Sequence, residues 1–269
     1  MIPIRDANPT TRVPVVTLAL IAANVAVFLL WQPSFGTQQE QQAFYYCHAE
    51  IPFEVSHQEN LARGGLEARL ALDADLGPGS GAPVQSFLRR ECPNKSWFLA
   101  VFVAMFLHGG LVHLGGNMLF LWVFGNNVED RLGHVVYPLF YVLGGLAAAG
   151  LELAFAPNST IPSLGASGAI GGVLGAYIVL FPRARITTLV IFFFITVIEI
   201  PASVVLAVWF LLQVVSGVGQ LGTELNGGVA YWAHVGGFAF GALVAWAFYR
   251  RRGGVGPGVS WVPPRPDEL

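Results

Sequence analysis

The sequence predicts an all-α membrane protein built as a bundle of six transmembrane helices, and three observations carry that prediction. Of 269 residues, 54% are hydrophobic and 11% charged, against about 25% charged in an average soluble domain. The charges gather in the 31–95 stretch, at 126–134, at 182–185 and near both ends. The apolar runs between them approach the roughly 20 residues that a helix needs to cross hydrocarbon. Lys and Arg also fall on alternate connections, as they do in a polytopic chain. A net charge of −2 without a basic patch gives no support to a nucleic-acid partner.

The first span runs over Val13–Trp31. Its length, and the lack of an A-x-A site followed by polar sequence, favour a retained helix over a cleaved signal peptide. The second covers roughly Gly109–Gly125, the third His134–Ala156, the fourth Ile161–Phe181, the fifth roughly Pro201–Val218 and the sixth Val229–Tyr249. Trp97–Leu107 is apolar too, but fused to the second span it would reach roughly 43 Å; it reads as an interfacial or partly inserted piece. Ile186–Ile200, rich in β-branched and aromatic residues, reads as a second interfacial segment before Pro201, a good first-turn residue.

Orientation follows from Arg5, Arg12, Arg131, Arg183, Arg185 and Arg250–Arg252, all on one side of a six-span chain. That side is cytoplasmic, so both termini are cytoplasmic and the protein belongs to the plasma (inner) membrane. The organisation is a cytoplasmic N-terminus (1–12), a membrane domain (13–250) with an outer loop (32–96), and a proline- and glycine-rich disordered tail (251–269). The outer loop carries too little continuous apolar pattern for an independent domain. It holds both cysteines, Cys47 and Cys92, which read either as buried thiols or, in an oxidising compartment, as a disulfide. No CxxC or Cys/His spacing suggests a metal.

Polar residues inside spans are costly and point to function. Under this topology spans two, four and six descend from the outer face. His113 and Asn117 occupy the first two turns of span two, Ser167 lies roughly 9 Å below the start of span four, and His234 roughly 7 Å below that of span six. One shallow layer therefore holds a nucleophile, a base and two hydrogen-bond donors. Gly168 with Gly172, and Gly171 with Gly175, are i,i+4 pairs on span four; Gly237 and Gly241 share the His234 face of span six. Small residues allow transmembrane backbones to meet. A serine hydroxyl needs a base, and no intramembrane Asp is present to orient His234. The expectation is a dyad of Ser167 and His234, with His113, Asn117 and the Ser167 amide as oxyanion donors. Glu152 and Glu199 show no reason to reach His234. His108 reads as interfacial, and His108-x4-His113 lacks the glutamate of an HExxH metalloprotease.

Taken together, HGGLVHLGGNM at 108–118, Glu129-Asp130-Arg131-Leu132-Gly133, GASG at 165–168 and AHVGGFAFG at 233–241 resemble the rhomboid family of intramembrane serine proteases, in its bacterial six-span form. The resemblance covers roughly Trp97 to Arg250. It implies a peptide-bond hydrolase acting in or beside transmembrane segments of membrane-protein substrates in the bilayer, through an acyl-enzyme and without cofactor or metal. The chain departs from the family twice. No arginine follows the Trp97-Phe98 pair, and Gly171 stands where some members have an aromatic residue that stacks on the histidine. The rival readings are a small-solute transporter or channel, which predicts polar groups through the whole depth and an internal repeat, and a catalytically inactive client-binding relative. No repeat is visible, and both reacting residues are present.

Overall fold

The computed structural model describes residues 1–191, 195–220 and 229–251. The tail expected over 251–269 lies, but for its first residue, outside them. The chain opens with a strand β1 (Ile2–Asp6), then α1 (Val15–Ala26), which runs on through a π-helical turn (Val27–Trp31). Four short helices follow: α2 (Gln38–His48), α3 (Pro52–His57), α4 (Leu66–Leu76) and α5 (Gly81–Glu91). Then come the eight-residue α6 (Trp97–Ala104), α7 (Leu111–Leu132), α8 (Val136–Phe155) and α9 (Ser167–Leu180). Strands β2 (Arg185–Ile191) and β3 (Ile195–Pro201) precede α10 (Ala202–Gln220) and α11 (Tyr231–Arg251).

The protein is a mostly helical membrane protein. Among the described residues, three helices are long and apolar enough to cross a membrane, namely α8, α10 and Tyr231–Phe248 of α11. The apolar stretch Val15–Trp31 and helix α9 are shorter, and α7 ends on Glu129, Asp130 and Arg131. Helix α9 is the hub. It packs most extensively against α11, then α8 and α7, while α10 covers α11. Tyr137, Tyr141, Phe124 and Tyr177 are fully enclosed at the centre of this bundle.

Three expectations need correction. The chain is not all-α, because β1, β2 and β3 form an antiparallel sheet in that order. The interfacial segment expected over 186–200 is largely two of its strands, which use its β-branched residues where they fit best. Phe192–Phe194 lie outside the described residues. The sheet sits at the far end of α9 from Ser167, where Asp6 accepts hydrogen bonds from the Tyr177 hydroxyl (2.5 Å) and Asn127 Nδ2 (2.6 Å).

The second correction concerns the outer loop, which is a small helical domain with its own core of Ile51, Phe53, Leu61, Ala68, Leu72 and Leu88. Its helices start and stop on local signals. Thr37 and Glu40 form a reciprocal capping box on α2, Pro52 opens α3, and Gln58 closes it in the left-handed region. Cys47 and Cys92 are bonded to each other, with Cα atoms 5.6 Å apart. The Lys95 ammonium, buried at 3% exposure, pairs with Glu54 Oε2 at 2.7 Å and donates to the Tyr46 carbonyl at 2.9 Å. A core of about 60 residues is marginal on its own, and these two cross-links add to what the apolar pattern supplies.

The third correction bears on the site. Span four was expected from Ile161, but helix α9 begins at Ser167. Pro162 and Gly165, the latter at φ +128°, hold the preceding segment out of helical geometry. This segment is strapped to the outer domain. Phe53 N–H donates to the Ser159 carbonyl (2.9 Å), Ser163 N–H to the Glu50 carbonyl (2.7 Å), and Thr160 gives both N–H and hydroxyl to Asp75 (2.5 and 2.8 Å).

Candidate active site

Because Ser167 is the first residue of α9, its amide and the next two point out of the helix without intrahelical acceptors. The partial positive charge of a helix N-terminus is thus concentrated at the serine itself. His234 lies one turn into α11, and His234 Nε2 is 2.8 Å from Ser167 Oγ. Glycines make this approach possible. A Cβ on Gly237 would overlap the Gly168 carbonyl, and one on Gly241 the Gly172 carbonyl. In turn a Cβ on Gly171 would stand 2.9 Å from the His234 carbonyl, and one on Gly175 would overlap the Phe238 carbonyl. Gly168 faces Ala148 of α8, and Gly172 is wedged between Gly144 and Gly237. Helices α9 and α11 therefore touch backbone to backbone.

The imidazole is oriented by a residue that sequence reasoning passed over. Gln213 Oε1 of α10 lies 2.8 Å from His234 Nδ1. An amide oxygen there fixes the proton on Nδ1 and leaves the Nε2 lone pair for the serine hydroxyl. Gln213 thus takes the place of the Asp that the spans lack. Trp209, also from α10, lies against the ring with centroids 5.9 Å apart, and Tyr231 meets it edge-on at 6.4 Å. These aromatics flank the ring, whose Nε2 faces Ser167 of α9. Gln213 had a visible signal, as the one amide in the apolar run of span five. Glu152 does not bond the His234 ring: its Oε2 accepts from Ala233 N–H at 3.1 Å, capping α11 one residue ahead of the histidine.

His113 and Asn117 share one face of α7 and line the same cavity as Ser167 and His234, a space of about 500 Å³. His113 Nδ1 accepts from Gly109 N–H at 3.3 Å, so Nε2 carries the ring proton. That nitrogen and the serine oxygen converge on one point, since a Cβ on Gly165 would lie 2.8 Å from His113 Nε2 and 3.4 Å from Ser167 Oγ. Asn117 is 8% exposed and its Nδ2 has no partner, an uncommon state for a buried donor. His108 is fully buried within the protein. Its carbonyl accepts from Gln32 Nε2 (2.5 Å) and the Tyr45 hydroxyl (3.0 Å), and its ring packs at 5.1 Å behind His113. Among the described residues, no group of three His, Cys, Asp or Glu side chains is disposed to hold a metal.

Fold and site together define a helical membrane protein with a serine–histidine pair at one end of its central helix. The family model described as Rhomboid domain matches residues 95–251, and the chain belongs to the rhomboid family. It is similar to Rhomboid protein 1, mitochondrial, of Saccharomyces cerevisiae, at 33% identity over 153 residues, 55% of this chain and 41% of that protein. It is 31% identical to RHOMBOID-like protein 1 of Arabidopsis thaliana over 240 residues, 87% of this chain and 53% of that one. A shorter match, 43% over 70 residues, is to Rhomboid protease GluP of Bacillus subtilis, covering 26% of this chain and 13% of that protein. The chain thus spans about half, or less, of the relatives it matches.

Proposed function

We propose that the protein is an intramembrane serine endopeptidase that cleaves membrane-protein substrates in or next to their transmembrane segments. The observation that carries this reading is the 2.8 Å contact of Ser167 Oγ with His234 Nε2 in a cavity where Asn117 Nδ2 is unpartnered. A protein named as a rhomboid protease among the similar sequences adds support. In the proposed reaction His234 takes the serine proton as Oγ attacks the scissile carbonyl, then gives it to the leaving amine. The oxyanion is received by the Ser167 amide, His113 Nε2 and Asn117 Nδ2. Water deacylates the enzyme, with His234 again as base. Helices α1, α7, α8, α9, α10 and α11 serve as the six spans, both termini are cytoplasmic in a plasma (inner) membrane, and the outer domain and catalytic cavity face the other side. The crowding of polar groups at one end of α9 favours this reading over a transport path.

Labelling with a fluorophosphonate tests it. Wild-type protein in detergent should be modified at Ser167, and Ser167→Ala should be neither labelled nor able to cut a single-span substrate. Cleavage persisting in purified Ser167→Ala would overturn the assignment.

A further inference from the structure

The catalytic cavity has one wall that comes from the outer domain. Glu50, from the outer domain and outside the residues matched by the family model, lines it together with Ser167 and His234. Its position is set by the strand-like bridge to Ser163, four residues before the nucleophile. The side chain is 6% exposed and Oε1 has no hydrogen-bond partner. The acidic and basic groups around it are otherwise committed. Lys95 is bound to Glu54 and the Tyr46 carbonyl, Glu54 Oε1 accepts from Leu61 N–H at 2.9 Å, and Glu152 caps α11. Glu50 therefore lies near a second carboxyl, Glu152, and near an ammonium that is already paired with a third, Glu54. Burial, with Glu152 adding to it and Lys95 opposing it, pushes the Glu50 carboxyl up to about 7. The ionised form of the acid is therefore disfavoured where it stands, for want of a partner.

The geometry points to Glu50 as a specificity-determining residue that receives a cationic side chain, Lys or Arg, of the substrate near the scissile bond. This rests on the protease reading above. Apolar walls at Val101, Ala104 and Met105 suit the methylene stem of such a residue, and the carboxylate accepts its charged head. It is the arrangement by which a serine protease pocket with an acid in its wall selects basic residues. An incoming cation also supplies the partner that Glu50 lacks, and hydrogen bonds between charged groups are among the stronger ones.

A set of single-span substrates, each with Lys or Met at one position across the cleavage region, tests the assignment in proteoliposomes. At one position wild type should show a Lys-to-Met ratio in kcat/KM of about tenfold or more, the size of one charge-assisted hydrogen bond. Glu50→Gln should collapse that ratio, and Glu50→Lys should turn the preference toward Glu. Binding of the same peptides to Ser167→Ala, read by fluorescence anisotropy, needs no turnover and no Glu50 variant; the Lys peptide should bind more tightly there too. A ratio near one throughout, in a protein whose Ser167 reacts with fluorophosphonate, would overturn the role of Glu50 and leave the protease reading intact. So would a ratio that survives Glu50→Gln. Absent labelling and cleavage with Lys-selective binding preserved would do the reverse, and absent selectivity in both assays would sink the Glu50 assignment.

Discussion

The seam between α9 and α11 and the outer domain solve the same problem with opposite means. Among the described residues the seam has no ion pair and no cross-link; it is made by Gly171, Gly175, Gly237 and Gly241, which let two backbones touch. The outer domain has short capped helices, a disulfide and the buried Lys95–Glu54 pair. The contrast follows from the solvent. In hydrocarbon, apolar burial supplies little drive between helices, so close packing must supply it. In water a core this small leaves a stability deficit that staples fill. The seam is therefore sensitive to volume and the outer domain to chemistry, yet both end at the same cavity.

The sharpest break lies in the seam. Gly237→Leu puts a side chain into the Gly168 carbonyl and should part Ser167 from His234. A displacement of 1 Å at a reacting pair costs roughly a hundredfold, so turnover of a folded variant should fall at least that far; full activity would show that the seam is not rigid. Oxyanion donors come next. Asn117→Ala and His113→Ala should each lose about 100- to 1000-fold in kcat with labelling at Ser167 still measurable. Gln213→Ala should lose about 10- to 100-fold by freeing the imidazole, and Gln213→Glu, which keeps an acceptor on Nδ1, should recover most of it. Equal loss in both variants would mean that Gln213 only fills space.

The outer domain should answer to different handles. Replacing Cys47 and Cys92 together by Ser should destabilise that domain by about 2–4 kcal/mol, read as faster proteolysis within 32–96 while the α7–α11 bundle stays resistant. The smallest effect expected is a pH dependence. Burial raises the carboxyls of Glu50, to about 7, and Asp6, to about 6. The folded protein therefore holds protons that the unfolded chain has released. Their contribution to stability is complete below about pH 4 and is lost as pH rises through 6 and 7. The Tm in detergent should fall between about pH 5 and pH 8, and Glu50→Gln should flatten the upper part of that slope. An unchanged slope would place the Glu50 carboxyl in ordinary solvent.

The contrast also explains what was legible. Ser167, His234, His113 and Asn117 stood out because lipid-facing sequence is so plain that any polar residue is a signal, and their convergence followed from span arithmetic. The same arithmetic overran at Ile161–Ala166, where hydropathy continues but Pro162 and Gly165 forbid helix. Gln213 and Glu152 carried the same kind of signal, but their partners lie on other helices, and one-dimensional spacing does not report azimuth. The sheet was hidden because β1 pairs with residues 186–189, far along the chain. The outer domain escaped because its stability rests on a cross-link and a buried charge pair, which hydrophobic periodicity does not register.

The disulfide has a consequence for timing. Glu50 and Lys95 each lie three residues beyond one of the bonded cysteines, so a single covalent step ties together the segment that lines the cavity and the one that carries the neighbouring ammonium. On the orientation proposed above, that step belongs to the far side of the membrane. A newly inserted chain would therefore bring nucleophile and base together as its helices pack, but would complete the substrate-reading wall only after export and oxidation. Maturation would then proceed from reactivity to selectivity, with the compartment acting as the clock.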